Sequence, residues 1–227
     1  MLIILGTPIG NLGDLSLRAA QELAQAEIIL AEDTRSVQAL FTAVSQYGLT
    51  PISHKIISYY KDQELEKLPF IMNLLREDKR VVLISESGMP VISDPGSLLL
   101  KAIARESIPF SVIPGPSAVT TSAVATGNTT FLFLGFFPKQ RREQKKIISK
   151  IQSVHELFSS VSFIFFESPH RIKDTLTLFS EIVPSSHITI CRELTKIHEE
   201  YVTGTPDELK TKEYRGEITV VITLKTI

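Results

Sequence analysis

Short apolar runs alternate along the chain with longer amphipathic segments. In the first half the runs fall at residues 2–5, 28–31, 56–59, 81–85 and 111–113. Their apolar residues occupy consecutive rather than alternate positions, which predicts strands buried on both faces of a mostly parallel sheet. Between them, segments such as 15–26 and 37–47 repeat apolar residues at helical spacing. Strand, helix, strand in this rhythm predicts βαβ units. In the second half strands are predicted at 131–136, 162–167, 188–192, 200–204 and 218–224, with more neighbours joined by short turns, as in a mixed sheet. Over 168–183, Ile172, Leu176, Phe179 and Val183 share one face of a helix that covers that sheet. Pro114-Gly115-Pro116 punctuates the chain just before a small-residue helix. The fold class expected is therefore α/β, in two α/β domains, 1–114 and 115–227.

Composition narrows the classes. With 227 residues, 43% hydrophobic, 22% charged and a net charge of -1, the chain suits one large or two compact domains, without a bulk preference for nucleic acid or membrane. Any basic surface must be local. Cys191 is the only cysteine, which excludes a disulfide within the chain and a cysteine-based zinc cluster, and fits a reducing cytosol. The opening MLIILG is too short for a signal core and breaks at Thr7-Pro8. No run approaches the roughly 18 apolar residues of a membrane helix. A cytoplasmic protein without a membrane or DNA partner is expected.

In parallel sheets ligands sit beyond the carboxyl ends of the strands. There the chain places Gly6-Thr7-Pro8-Ile9-Gly10-Asn11, Glu32-Asp33-Thr34-Arg35, Glu86-Ser87-Gly88-Met89-Pro90 and Pro114-Gly115-Pro116-Ser117. Each alone reads as turn punctuation or a helix cap; four at one rim favour a site. Phosphate-loop and dinucleotide glycine patterns are absent, and Gly6, Gly10 and Gly13 have the wrong spacing. Ser117 lacks the second glycine of a nucleophile elbow, and His198-Glu199-Glu200-Tyr201-Val202 lacks the second histidine of a zinc protease, so no metal is expected. Backbone groups, small residues and a carboxylate remain, with no lysine or arginine in 81–96. They suit a neutral or cationic ligand rich in its own hydrogen-bonding groups; a sulfonium cofactor meets that description. Spacing goes no further.

The stretches GTPIGNLGDLSLRA, AEDTR, SESGMPVISDPG, PGPSA, FFESPHR and CRELTKIHEE, followed by GTPDEL and RGEITVVI, closely resemble the ribosomal RNA small-subunit methyltransferase I family of the tetrapyrrole methylase superfamily, in order and over nearly the whole chain. The resemblance implies two α/β domains of the tetrapyrrole methylase type, a mostly parallel N-terminal sheet, a mixed C-terminal sheet, S-adenosylmethionine in the interdomain cleft, and a homodimer. By the family pattern the cofactor is lined by Pro8, Ser87, Gly88, Val91, Ile92, Ser117 and Ala118, and from the second domain by Phe166, Leu194 and residues 216–218, from Gly216 to Ile218. It further implies 2′-O-methylation of a cytidine in the decoding region of small-subunit ribosomal RNA.

A ribose hydroxyl is a weak nucleophile, and a carboxylate or lysine beside it accepts or polarises its proton. The matching motifs offer Asp33, Arg35, Glu167, His170, Arg171, Lys196 and Glu199, among which Asp33, Arg35 and Lys196 are the catalytic candidates. Glu167 with Arg171 equally reads as a pair fixing a helix start, and Asp33 as a cap. For RNA, Lys139, Arg141, Arg142, Lys145 and Lys146 form a basic run holding one acid, Glu143. Some features depart from the family pattern: Tyr59-Tyr60-Lys61-Asp62-Gln63 replaces a Tyr-His-x-x-Asn-like signature, Met89 and Val91 replace commoner Thr and Gly, and the chain ends at Ile227 where members commonly carry a further small segment. These bear on substrate choice more than on the cofactor. The alternatives are a superfamily methyltransferase acting on a small molecule such as a tetrapyrrole, or a non-catalytic ribosome-binding module.

Overall fold

The computed structural model describes residues 1–52 and 54–224. Two compact units divide the chain, Met1–Ser117 and Ala118–Ile227.

The first unit runs β1 (Leu2–Leu5), α1 (Leu17–Ala24), β2 (Ile28–Ala31), α2 (Ser36–Gln46), β3 (Lys55–Ser58), α3 (Glu64–Arg76), β4 (Val81–Ile84), α4 (Ser97–Arg105) and β5 (Phe110–Ile113). Its five strands lie in the order β3-β2-β4-β1-β5 and every pair is parallel. The consecutive apolar positions are explained by two cores. Ile3, Leu5, Ile29, Ala31, Val82 and Ile84 face α1 and α2, while Leu2, Ile4, Ile28, Leu30, Val81 and Leu83 face α3 and α4. Each of these valines, leucines and isoleucines stabilises the unit by about 1.5–3 kcal/mol through removal from water. The predicted helix at 15–26 is shorter, because the Ser16 side chain accepts from the Ala19 N–H at 3.1 Å and fixes the start at Leu17.

The second unit contains α5 (Ala118–Ala125), β6 (Phe131–Phe136), α6 (Arg141–Leu157), β7 (Ser162–Glu167), α7 (Ile172–Ile182), β8 (His187–Arg192), β9 (Glu200–Gly204), α8 (Pro206–Leu209) and β10 (Ile218–Thr223). The sheet order is β6-β7-β10-β8-β9, with β6 parallel to β7 and the other pairs antiparallel. Ile172, Leu176, Phe179 and Val183 are buried against Phe163, Phe165, Ile188, Ile190 and Val220, as their spacing predicts. The helix itself begins four residues later than the predicted 168, since Ser168 instead turns the chain: its carbonyl accepts from Arg171 N at 3.0 Å and its hydroxyl from His170 N at 3.2 Å.

Candidate functional site

Connections out of β1 and β2 cross the α1/α2 face, whereas those out of β3 and β4 cross the α3/α4 face. Neighbouring strands β1 and β4 therefore send the chain to opposite sides of the sheet, and the crevice between their carboxyl ends is the topological switch where ligands bind in such folds. Hydrogen bonds tie the two turns there together. Thr7 N donates to Gly88 O at 2.8 Å, the Thr7 hydroxyl to Ser85 O at 3.4 Å, and the Ser85 hydroxyl to Gly88 O at 3.0 Å. The turn after β5 joins them, with Gly115 N donating to Met89 Sδ at 3.3 Å. A Cβ on Gly6 would lie 2.5 Å from Met89 Sδ and 2.7 Å from Gly115 Cα, so only glycine permits this approach.

The stretch after Gly88 is strained. Val91 has φ 75° and Ser93 φ 71°, a region that L-residues, β-branched ones above all, avoid. Strain of this kind persists at ligand clamps when the surroundings over-determine it. Ser87 and Ile92 are exposed, Val91 and Ser117 half-buried, and Pro8 and Gly88 buried, and these first-unit candidates sit on the three turns after β1, β4 and β5; Ala118, half-buried, begins the second unit. Beneath lies a residue that sequence reasoning passed over. Glu64, at the start of α3 and only 5% exposed, accepts a hydrogen bond from the N–H of Gly96, the residue that opens α4. A glutamate in a first helical turn reads as a solvated, dipole-favoured acid, and no local signal distinguishes one turned inward.

Acids dominate the rim. Burial, and after it Glu32 and Glu86, push the Asp94 carboxyl up to about 6. Burial and Glu86 raise Glu32 also. Asp33 differs: its carboxylate accepts from Arg35 Nη2 at 2.7 Å, from Nε at 3.0 Å and from the Arg35 backbone N–H at 2.8 Å. The guanidinium and that N–H hold it down to about 2, so Asp33 is a weak proton acceptor. Among the described residues no group of histidine, cysteine, aspartate and glutamate is arranged to hold a metal ion.

In the second unit the candidates cluster at the ends of β7, β8 and β10. Phe166 is half-buried and meets Phe133 edge-on at 4.9 Å. Leu194 is buried between Glu193 and Thr195, which have φ 51° and 64°. Glu193 accepts from Glu217 N at 2.9 Å and from Lys196 Nζ at 3.0 Å, and Lys196 also reaches Glu217 at 3.2 Å. Partial burial would lower the Lys196 ammonium, but the two glutamates outweigh it and raise it, so this lysine stays charged. Gly216, at φ 80°, leaves room for the Glu193 carboxylate, and Ile218 opens β10 opposite Glu167 and Arg192. Glu167 is buried and saturated: it accepts from Arg171, from Ser168 N at 2.7 Å and from the Thr175 hydroxyl at 2.7 Å, fixing the start of α7. Of the basic run, Arg141 is bound to Glu181 at 2.9 Å, while Lys139, Arg142, Lys145 and Lys146 are exposed.

This architecture recurs in solved structures. Diphthine synthase matches with a TM-score of 0.73 and 16% identity, over 98% of this chain and 90% of that one. Uroporphyrin-III-C-methyltransferase from Thermus thermophilus matches with a TM-score of 0.63 and 17% identity, over 98% and 93%. Fold and rim thus define a two-domain α/β protein of the tetrapyrrole methylase class. The model of the tetrapyrrole (corrin/porphyrin) methylases matches residues 1–210. Proteins named ribosomal RNA small subunit methyltransferase I are similar over nearly full length, at 41% identity in Hydrogenobaculum sp. (97% of this chain, 94% of the relative) and 39% in Thermotoga maritima (99% and 98%). The chain belongs to the ribosomal RNA small subunit methyltransferase I family of the tetrapyrrole methylases, and is an S-adenosylmethionine-dependent methyltransferase of that superfamily.

Proposed function

We propose that the protein methylates the 2′-hydroxyl of a cytidine in the decoding region of small-subunit ribosomal RNA. The names of its relatives support the RNA substrate. The observation that carries the cofactor reading is the strained Gly88–Gly96 turn, whose Asp94 feels the charges of Glu32 and Glu86 at a rim where residues 81–96 contain no basic side chain. When bound, S-adenosylmethionine supplies an electrophilic methyl group on a sulfonium. Carboxylates favour such a cation, and a lysine there would oppose it. Pro8, Ser87, Gly88, Val91, Ile92, Ser117 and Ala118, with Phe166, Leu194, Gly216 and Ile218 of the second unit, are the residues we assign to the cofactor.

The chain's main contribution is alignment, since in-line displacement needs donor carbon and acceptor oxygen about 3–3.5 Å apart. Rigid turns serve that need. Asp33 and Lys196 are poor bases, one held at about 2 and the other kept protonated. Their part, with Arg35, is therefore electrostatic: Lys196 stabilises negative charge developing on the ribose oxygen as the hydroxyl proton passes to water, and Asp33 orients Arg35 toward the RNA. Lys139, Arg141, Arg142, Lys145 and Lys146 supply the phosphate-binding charge. We further assign the protein to the cytoplasm, as a homodimer.

Titration with S-adenosylmethionine, followed by transfer of labelled methyl to 30S particles and mapping of ribose methylation, tests the reading. Saturable cofactor binding and one new 2′-O-methylcytidine are expected. Label on a tetrapyrrole but not on 30S particles would identify a small-molecule methylase, and 30S association without transfer a non-catalytic binding module.

A further inference from the structure

The edge strand β6 is bulged. Its pairing with β7 runs from Phe131 opposite Ser162 to Phe133 opposite Ile164, and then resumes with Phe136 opposite Phe166, one extra residue having entered β6. Gly135, at φ 71°, absorbs the kink. The bulge re-aims the next two side chains. Phe137 enters the core, stacked on Phe165 at 4.5 Å, while Phe136 is left 64% exposed. The Phe166 ring meets it edge-on at 5.3 Å and 62°.

Immediately beyond come the cations. Lys139 precedes α6, and Arg142, Lys145 and Lys146 follow at i, i+3 and i+4, on one stripe of that helix. All four are exposed, and none stands in an ion pair among the described residues, unlike Arg141. A planar apolar ring beside a stripe of positive charge is the recognition element for unpaired nucleotides, whose bases stack and whose phosphates need neutralising. A duplex, with base faces already stacked, has no use for the ring.

We propose that Phe136 is a stacking platform for an unpaired base of the RNA, with Lys139, Arg142, Lys145 and Lys146 holding the adjoining phosphates. This rests on the RNA reading above and adds to it the single-stranded form of the substrate. Because Phe166 is assigned to the cofactor, the platform adjoins the proposed cofactor site, where it orients the acceptor nucleotide or its neighbour.

Fluorescence anisotropy on the full-length, cofactor-free protein tests the platform, using an unstructured 12-nucleotide oligocytidylate and an equally long ribose-phosphate chain without bases. Phe136→Leu should lower affinity for oligocytidylate about 5- to 150-fold without changing the salt slope, and Phe136→Trp should restore it. The base-free chain should bind wild type and Phe136→Leu alike. Unchanged urea midpoints establish that the variants fold. If Phe136→Leu binds oligocytidylate as tightly as wild type, while Lys145→Ala with Lys146→Ala weakens binding and flattens its salt dependence, stacking is refuted and the RNA reading stands. If wild type ignores both oligomers and instead binds anionic phospholipid vesicles, both fall.

Discussion

Glu64 is the least conspicuous residue of the rim and the most instructive to remove. Its side chain is 5% exposed and accepts from Gly96 N, a buried donor at the end of a turn whose backbone is strained at Val91 and Ser93. Glu64→Ala leaves that N–H without a partner, at about 1–3 kcal/mol, and adds the cost of the vacated volume, for about 2–4 kcal/mol in all. Glu64→Gln keeps an acceptor oxygen in place. About 0.5–1 kcal/mol is expected for this variant. A difference of about 2 kcal/mol between the two corresponds to about 30-fold in the opening equilibrium of the turn. Hydrogen exchange of peptides covering 89–97 reads that opening directly, and S-adenosylmethionine titration reads its consequence. Equal exchange in Glu64→Ala, Glu64→Gln and wild type would refute the idea that this carboxylate holds the turn.

Other perturbations have equally definite outcomes. Gly216→Ala places a Cβ 2.3 Å from Glu193 Oε1 on a backbone at φ 80°, so it should destabilise the second unit by about 2 kcal/mol or more, seen as a lower urea midpoint. Asp94 titrates at about 6 in the folded protein against about 4 unfolded, so its contribution is fully present below pH 4 and is lost as the pH rises to 6. Asp94→Asn should remove that fall and exceed wild type by on the order of 1 kcal/mol at pH 7.5, allowing for partial solvent screening, with little difference at pH 4. Burial raises the Cys191 thiol to about 11, so it should resist a disulfide reagent in the native protein and react at once in urea.

Strands were legible from the sequence where both faces are buried, as at Leu2–Leu5, Ile28–Ala31 and Ser162–Glu167, and also at the two edges of the second sheet, Phe131–Phe136 and Glu200–Gly204, which are largely exposed. Ends were less legible. They depend on events such as the Ser16 cap and the Ser168 turn, which act one residue at a time. The turns at the rim were visible because glycine and proline mark backbone that side chains do not permit. What the sequence withholds is direction. Glu64 turns inward, Arg141 turns to Glu181, and Phe136 and Phe137 part company at a bulge.

The rim can be read as a balance of strain and restraint. Two non-glycine residues at positive φ, Val91 and Ser93, cost the first unit about 2–6 kcal/mol together. Against this stand the bonds of Thr7 and Ser85 to Gly88 O, about 0.5–1.5 kcal/mol each, and the carboxylate bond of Glu64 to Gly96 N, about 1.5–3 kcal/mol. The two sides are nearly equal, so the turn is held with little to spare. A turn in that condition is ordered more easily by a ligand bound to its main chain than by any further side chain, because each N–H or C=O the ligand engages restrains backbone that is already close to its bound form. It follows that stiffening this turn should raise cofactor affinity, while loosening it at Glu64 should lower affinity before the fold itself gives way.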